Sequence, residues 1–265
     1  GFGQMKKEDL RLALAGKKAG VSFSVDQDRF RLSGNCASDE VRLLFQLFYA
    51  FYNDWTCRED AYRLSLERFR QSYEEKNHTI SGAMVLEGDR FLAGGDSRFG
   101  WPADFTAFEK ISPDDIRDWI KAALQQSKPE ISVVGDFEPR QVTDAAALYF
   151  GTMDIKTGPN RTEDSRPAPF VPVGETKALT VPTEIAKAYV EVAWPTDDFW
   201  DIRRTRRLVM LSRIFSDRMR VTIREEAGQS YSQYAYHDAS LAYPGYGVFH
   251  AAAQIKPTED RTVVA

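Results

Sequence analysis

Three histidines, His78, His237 and His250, come first, because imidazole is the commonest metal ligand and titrates near neutral pH. None stands three or four residues from another His or a Cys, so the two-histidine helical zinc spacing is absent in either polarity. His237 and Asp238 could share a proton or a metal; an alternating strand with one exposed His explains the same pair. No Ser, His and Asp are arranged around a nucleophile elbow, and no phosphate-binding glycine loop occurs. Gly94-Gly95-Asp96 reads as a turn. By itself the chain offers no catalytic centre and no metal ligands.

The segment Ile223-Arg-Glu-Glu-Ala-Gly-Gln-Ser-Tyr-Ser232 is the informative one. It joins a helix end to a strand start, with Gly228 suited to the left-handed residue that often ends a helix. Arg224 then belongs to the last helical turn and Tyr231 to the emerging strand. A guanidinium and a phenol at such a junction could hold a peptide carbonyl from two sides. The alternative is structural: Arg224 pairs with nearby carboxylates and Tyr231 packs in the core.

Upstream lies a run of arginines at 203, 204, 206, 207, 213, 218, 220 and 224. Leu208, Leu211, Phe215 and Met219 form an apolar stripe that leaves most of these arginines on the opposite face. Asp197, Asp198, Asp201, Asp217, Glu225 and Glu226 interleave with them and weaken any field. A solvated helix face is expected, with no nucleic-acid partner. The formal charge of −4 agrees, giving no general attraction to nucleic acid or anionic lipid.

The elements that would position this junction follow from periodicity. Residues 7–15 read as a helix stopped by Gly16, and Val21, Phe23, Val25, Phe30 and Leu32 alternate around an Asp26-Gln27-Asp28 turn as a hairpin. Helices are expected over 38–54, from a Thr56-x-x-Glu59 capping box with the stripe Tyr62, Leu66, Phe69 and Tyr73, and from Ser112-Pro113-Asp114-Asp115 onward. Residues 131–135 read as a short strand and 142–150 as a helix ended by Gly151. Four prolines between 152 and 174 mark a linker. Beyond it come strands at 176–181 and 188–194, a long helical region at about 200–226, and strands at 230–238 and 246–255.

With 265 residues, 43% hydrophobic and 28% charged, the chain is long enough for two domains. The organisation expected is α+β: domain 1–151, linker 152–174, and domain 175–265. No apolar run reaches the ~18 residues of a membrane helix, so no membrane partner is expected. Cys36 and Cys57 flank the helix 38–54, which holds its ends roughly 25 Å apart against ~5.5 Å between the Cα atoms of a disulfide. Two free thiols are expected. The start lacks an initiator Met and the end stops in a strand-like run, so the chain is read as a piece of a longer protein, both domains incomplete.

Ile223-Arg224-Glu225-Glu226-x-Gly228-x-x-Tyr231-Ser232, preceded by the helix Arg207-Leu-Val-Met-Leu-Ser-Arg-Ile-Phe-Ser-Asp-Arg218, resembles the insulinase/pitrilysin family of zinc metallopeptidases. Leu14-Ala-Gly-Lys17, Phe30-Arg-Leu-Ser-Gly34, Val133-Val-Gly-Asp136 and Tyr149-Phe-Gly151 extend the resemblance over nearly the whole chain. It implies two homologous domains of the LuxS/mitochondrial-processing-peptidase-like metallohydrolase fold. These would be the third and fourth domains of a two-halved enzyme of the bacterial periplasmic type. The family's inverted His-x-x-Glu-His motif is missing, which implies the non-catalytic half: no cofactor in this chain, and zinc in a partner catalytic half on the same or a separate chain. Arg224 matches the family arginine that grips a substrate carbonyl, and Tyr231 the tyrosine that supports the oxyanion. The implied substrate is a peptide or small protein. The alternative from a different class is a non-enzymatic assembly or scaffold subunit of the same fold. An uncovered sheet in the second domain would also allow a homodimer.

Overall fold

The computed structural model describes residues 5–127, 129–153, 167–170, 172–183, 187–226 and 230–255. In chain order the elements are α1 (Lys7–Ala13), β1 (Gly20–Val25), β2 (Phe30–Asn35), α2 (Val41–Asp54), α3 (Glu59–Asn77), α4 (Ile80–Ala83), α5 (Asp89–Leu92), α6 (Thr106–Glu109), α7 (Pro113–Gln126), α8 (Pro139–Phe150), β3 (Ala188–Thr196), α9 (Ile202–Met219), β4 (Ser230–Ala239) and β5 (Gly247–Ile255). A π-helical turn, Met84–Gly88, joins α4 to α5, and another, Arg220–Glu226, prolongs α9. The class is the α+β one expected.

The residues gather into two compact units, Gly1–Glu67 with Thr106–Asn160 and Arg68–Phe105 with Arg161–Ala265. The segment Arg68–Phe105, inside the expected block 1–151, therefore groups with the later residues. The cause is apolar burial: Ala93 is fully buried against Tyr246 and Val248, and the Phe99 ring lies 4.9 Å from that of Tyr246. Most of the expected linker, 154–166 and 171, lies outside the described residues.

In the first unit, β1 and β2 form the antiparallel hairpin that the alternation dictates, with Phe23 opposite Leu32. Phe23 stacks on Phe30 at 5.7 Å and meets Phe51 of α2 at 5.3 Å, while Phe30 takes the edge of Trp119 of α7 at 5.1 Å. Val41 and Phe45 of α2 pack on Val142 and Ala145 of α8 to make the core. The α7 start is a full capping box. Ser112 Oγ accepts the Asp115 amide at 3.1 Å, and the Ser112 amide donates to the Asp115 carboxylate at 2.8 Å.

In the second unit β3, β5 and β4 make an antiparallel sheet in that order. Strand pairing sorts its side chains onto two faces. Opposite partners such as Trp194, Phe249 and His237 share one face, and Ala193, His250 and Tyr236 share the other. α9 covers the first face, with Leu208, Phe215 and Met219 on Ala235, Phe249 and Ala251. Leu211 does not join this stripe as expected: it is 47% exposed, and the smaller Ser212 is the buried residue in its place. The stripe runs 208, 212, 215, 219, a helical spacing in which Ser212 is masked from a composition-based reading by its polarity.

Two expected strands do not form. Residues 131–135 and 176–181 carry no ladder, and Val134 is 95% exposed. An apolar run needs a neighbouring strand to become one, and among the described residues neither run has it. No helix among the described residues is long and apolar enough to cross a membrane.

Candidate functional site

Arg224 sits in the π-helical turn Arg220–Glu226 and Tyr231 in β4. The turn and the start of β4 lie against each other. The pairing of β4 with β5 slips at this point: Ser230 is opposite Ile255 and Ser232 opposite Gln254, so Tyr231 is the extra residue of a β-bulge. π-helical turns and β-bulges both occur frequently beside functional positions. Here they bracket the junction that the sequence singles out. The side chains of both residues, and residues 227–229 between them, lie outside the described residues.

On the sheet face turned away from α9 the structure assembles a polar network that sequence reasoning missed. His250 Nδ1 donates to Glu191 Oε1 at 2.6 Å, with both side chains under 10% exposed. Glu191 Oε2 accepts the Tyr189 hydroxyl at 2.7 Å. That hydroxyl lies 3.2 Å from the Tyr234 hydroxyl; since Tyr189 spends its proton on Glu191, Tyr234 is the donor between them. The Tyr236 ring lies flat on the His250 imidazole, 4.2 Å away and 5° from parallel. Burial, the Tyr234 bond and the adjacent Glu191 hold the Tyr189 hydroxyl protonated well above its ordinary range.

Asp89 of α5 faces this network. Crowding by protein, reinforced by the Glu191 carboxylate, pushes its carboxyl up to about 6, although the residue as a whole is exposed. No local motif reveals this cluster. Glu191, Tyr234 and His250 come together only once the register of three strands is known.

His237 and Asp238 do not act as a pair, because neighbours on a strand point to opposite faces. His237 Nε2 instead meets Thr196 Oγ1 at 3.0 Å across Gly247, whose missing side chain leaves the room. Burial lowers the His237 pKa. His237 Nδ1 and Gln233 Oε1 are buried and have no hydrogen-bond partner among the described residues. In the arginine-rich helix Arg204 pairs with Asp197, and beyond its end Arg220 pairs with Asp217 at 3.1 Å. Cys36 and Cys57 are free thiols. Among the described residues no three His, Cys, Asp or Glu side chains converge as a metal ion would require.

The family model described as the peptidase M16 inactive domain matches residues 110–264, more than half of the chain. No curated protein matches the sequence. Among solved structures, the peptidase M16 inactive domain from Pseudomonas fluorescens superposes with a TM-score of 0.76 at 16% identity, covering 100% of this chain and 64% of that one. The periplasmic protease PqqL from Escherichia coli gives 0.69 at 15%, covering 100% of this chain and 29% of that one. The ferredoxin protease FusC, solved with Arabidopsis ferredoxin, gives 0.68 at 16%, covering 99% and 29%. The chain thus spans under a third of the length of these two proteases.

Proposed function

Because the chain belongs to the peptidase M16 family, through that family's inactive domain, we propose that it forms the substrate-binding, chamber-closing half of a zinc metalloendopeptidase. The observation that carries this reading is the junction inside the matched region. Arg224 on a π-helical turn and Tyr231 on a β-bulge are separated by only six residues of sequence, 225–230. The Arg224 guanidinium grips a carbonyl of the bound peptide. The Tyr231 hydroxyl donates to the scissile carbonyl oxygen as negative charge develops there. Zinc belongs to the catalytic half, on the same or a separate chain, where it would polarise that carbonyl and activate water. No step through the metal is assigned to this chain, whose described residues offer no ligand set. The substrates are peptides or small proteins, the class to which the ferredoxin bound by FusC belongs. The periplasm, home of PqqL, is the compartment proposed.

The test is Arg224→Ala in the full-length protein. A charged donor to a bound carbonyl is worth about 1.5–3 kcal/mol. Its loss should raise KM roughly 10- to 100-fold while kcat changes little, the pattern of lost ground-state binding. An unchanged KM would contradict the assignment.

A further inference from the structure

α9 leaves part of its own sheet uncovered. Its flank Val209, Arg213, Ser216 and Arg220 stands over β4, beside Gln233 and Ala235. The opposite flank, Arg207, Leu211, Ile214 and Arg218, repeats at i, i+4, i+7 and i+11 and therefore faces across β5 towards β3. Leu211 and Ile214 are 47% and 52% exposed there. β3 turns Val190, Val192 and Trp194 to the same face of the sheet. The two valines are only partly buried, and Trp194 is 43% exposed although its ring meets Phe215 of α9 at 6.3 Å. α9 and β3 thus make an apolar corner, with β3 as its floor and Leu211 and Ile214 as its wall. We propose that residues 256–265 of this chain, which lie outside the described residues, turn back as a helix antiparallel to α9 and fill this corner.

The path of the chain leads there. Ile255 ends β5, opposite Ala188 at the start of β3 and Ser230 at the start of β4. α9 delivers the chain to the start of β4 through the turn Arg220–Glu226, so the C-terminal end of α9 stands at that same end of the sheet. A chain leaving Ile255 emerges beside the open end of the corner.

Local sequence supplies the helix. β5 is the middle strand, whose amides serve two neighbours, and Pro257 has no amide hydrogen to give. The strand stops. Thr258-Glu259-Asp260 then sets an N-cap residue before two acids, the start signal of a helix. The run 261–265 that follows is strand-like only when taken alone.

Register and charge agree. Asp260, Val263 and Val264 stand at i, i+3 and i+4, on one face of such a helix. Asp260 and Val264 are four residues apart, as are Arg218 and Ile214, about 6 Å along each helix. The antiparallel helix therefore sets Asp260 against Arg218 and Val264 against Ile214, with Val263 on the β3 valines. Arg204 and Arg220 have carboxylate partners, whereas Arg218 has no ion-pair partner among the described residues. Arg261, about 100° round the helix from Asp260, clears Arg218. A second copy does not fit, because packing this flank antiparallel on itself would bring Arg207 against Arg218.

The test is disulfide trapping in the full-length protein, with the bonds located by mass spectrometry. Ile214→Cys combined with Val264→Cys should close an intramolecular disulfide at least about tenfold faster than two control pairs, because the two thiols share a high effective concentration. One control combines Val264→Cys with Arg213→Cys, on the other flank of α9. The other combines Ile214→Cys with Thr262→Cys, which a helix turns away from α9 and a strand would not. Arg218→Glu should slow the trapping severalfold, and Asp260→Arg added to it should restore the rate. The proposal is overturned if the three pairs close alike, if the bond from position 214 to position 264 joins two molecules, or if Arg218→Glu leaves the rate unchanged. No readout here involves turnover, so the Arg224–Tyr231 assignment stands or falls separately.

Discussion

His250 and Glu191, 59 residues apart in the chain, meet at 2.6 Å on the sheet face opposite α9. Tyr234 donates to Tyr189, and Tyr189 and His250 both donate to Glu191, so each carboxylate oxygen has a donor. Removing one partner of a buried, hydrogen-bonded pair strands the other and costs about 3–5 kcal/mol. Glu191→Ala and His250→Ala should each lower unfolding free energy in urea by about that amount. The double variant should cost clearly less than the two together, because the second substitution removes a group already orphaned. Strict additivity would mean that the two side chains do not interact.

Asp89 makes stability depend on pH in the direction opposite to a salt-bridged carboxylate. Its carboxyl is pushed up to about 6 in the folded protein, against an ordinary 3.8, by the protein crowded around it first and by Glu191 second. Between those values the folded protein holds a proton that the unfolded chain has released. Stability from this residue is therefore greatest at low pH, falls as pH rises through the window, and stays reduced above it. The Tm of Asp89→Asn should match wild type near about pH 4 and exceed it at about pH 7. A constant difference at both pH values would show that Asp89 is not the group responsible.

Gly247 is required by space. A Cβ there would lie 2.3 Å from the Asp197 carbonyl oxygen and 2.6 Å from Thr196 Oγ1. Neither the backbone oxygen nor a hydroxyl bonded to His237 can withdraw freely. Gly247→Ala should destabilise by about 1–3 kcal/mol, the usual cost of forcing extra atoms into a packed site. It should also broaden the His237 side-chain NMR signals as the Thr196 contact is lost. Wild-type stability in that variant would show that the strand start relaxes at no cost.

Much of the fold is legible where a local rule decides it. The hairpin 20–35 is fixed by alternation, the α7 start by Ser112-Pro113, and β3 to β5 by runs of apolar and aromatic residues. Local rules fail where partners are remote. The runs 131–135 and 176–181 look like strands but lack a ladder, and Ser212 takes the buried place expected of Leu211. Residues 68–105 carry no sign in sequence that Ala93 and Phe99 will pack beside Tyr246. The candidate site divides the same way. Arg224 and Tyr231 form a motif within one short segment, whereas Glu191, His250 and Asp89 become neighbours only through strand register and the docking of α5.

The most direct measurement is the steady-state kinetics of Tyr231→Phe in the full-length protein on a peptide substrate. The variant removes one oxygen and keeps the ring, so packing is nearly unchanged. Loss of one donor to a developing oxyanion lowers kcat by about 10²–10³. The account predicts that fall with KM within a few-fold of wild type. A kcat equal to wild type would contradict it.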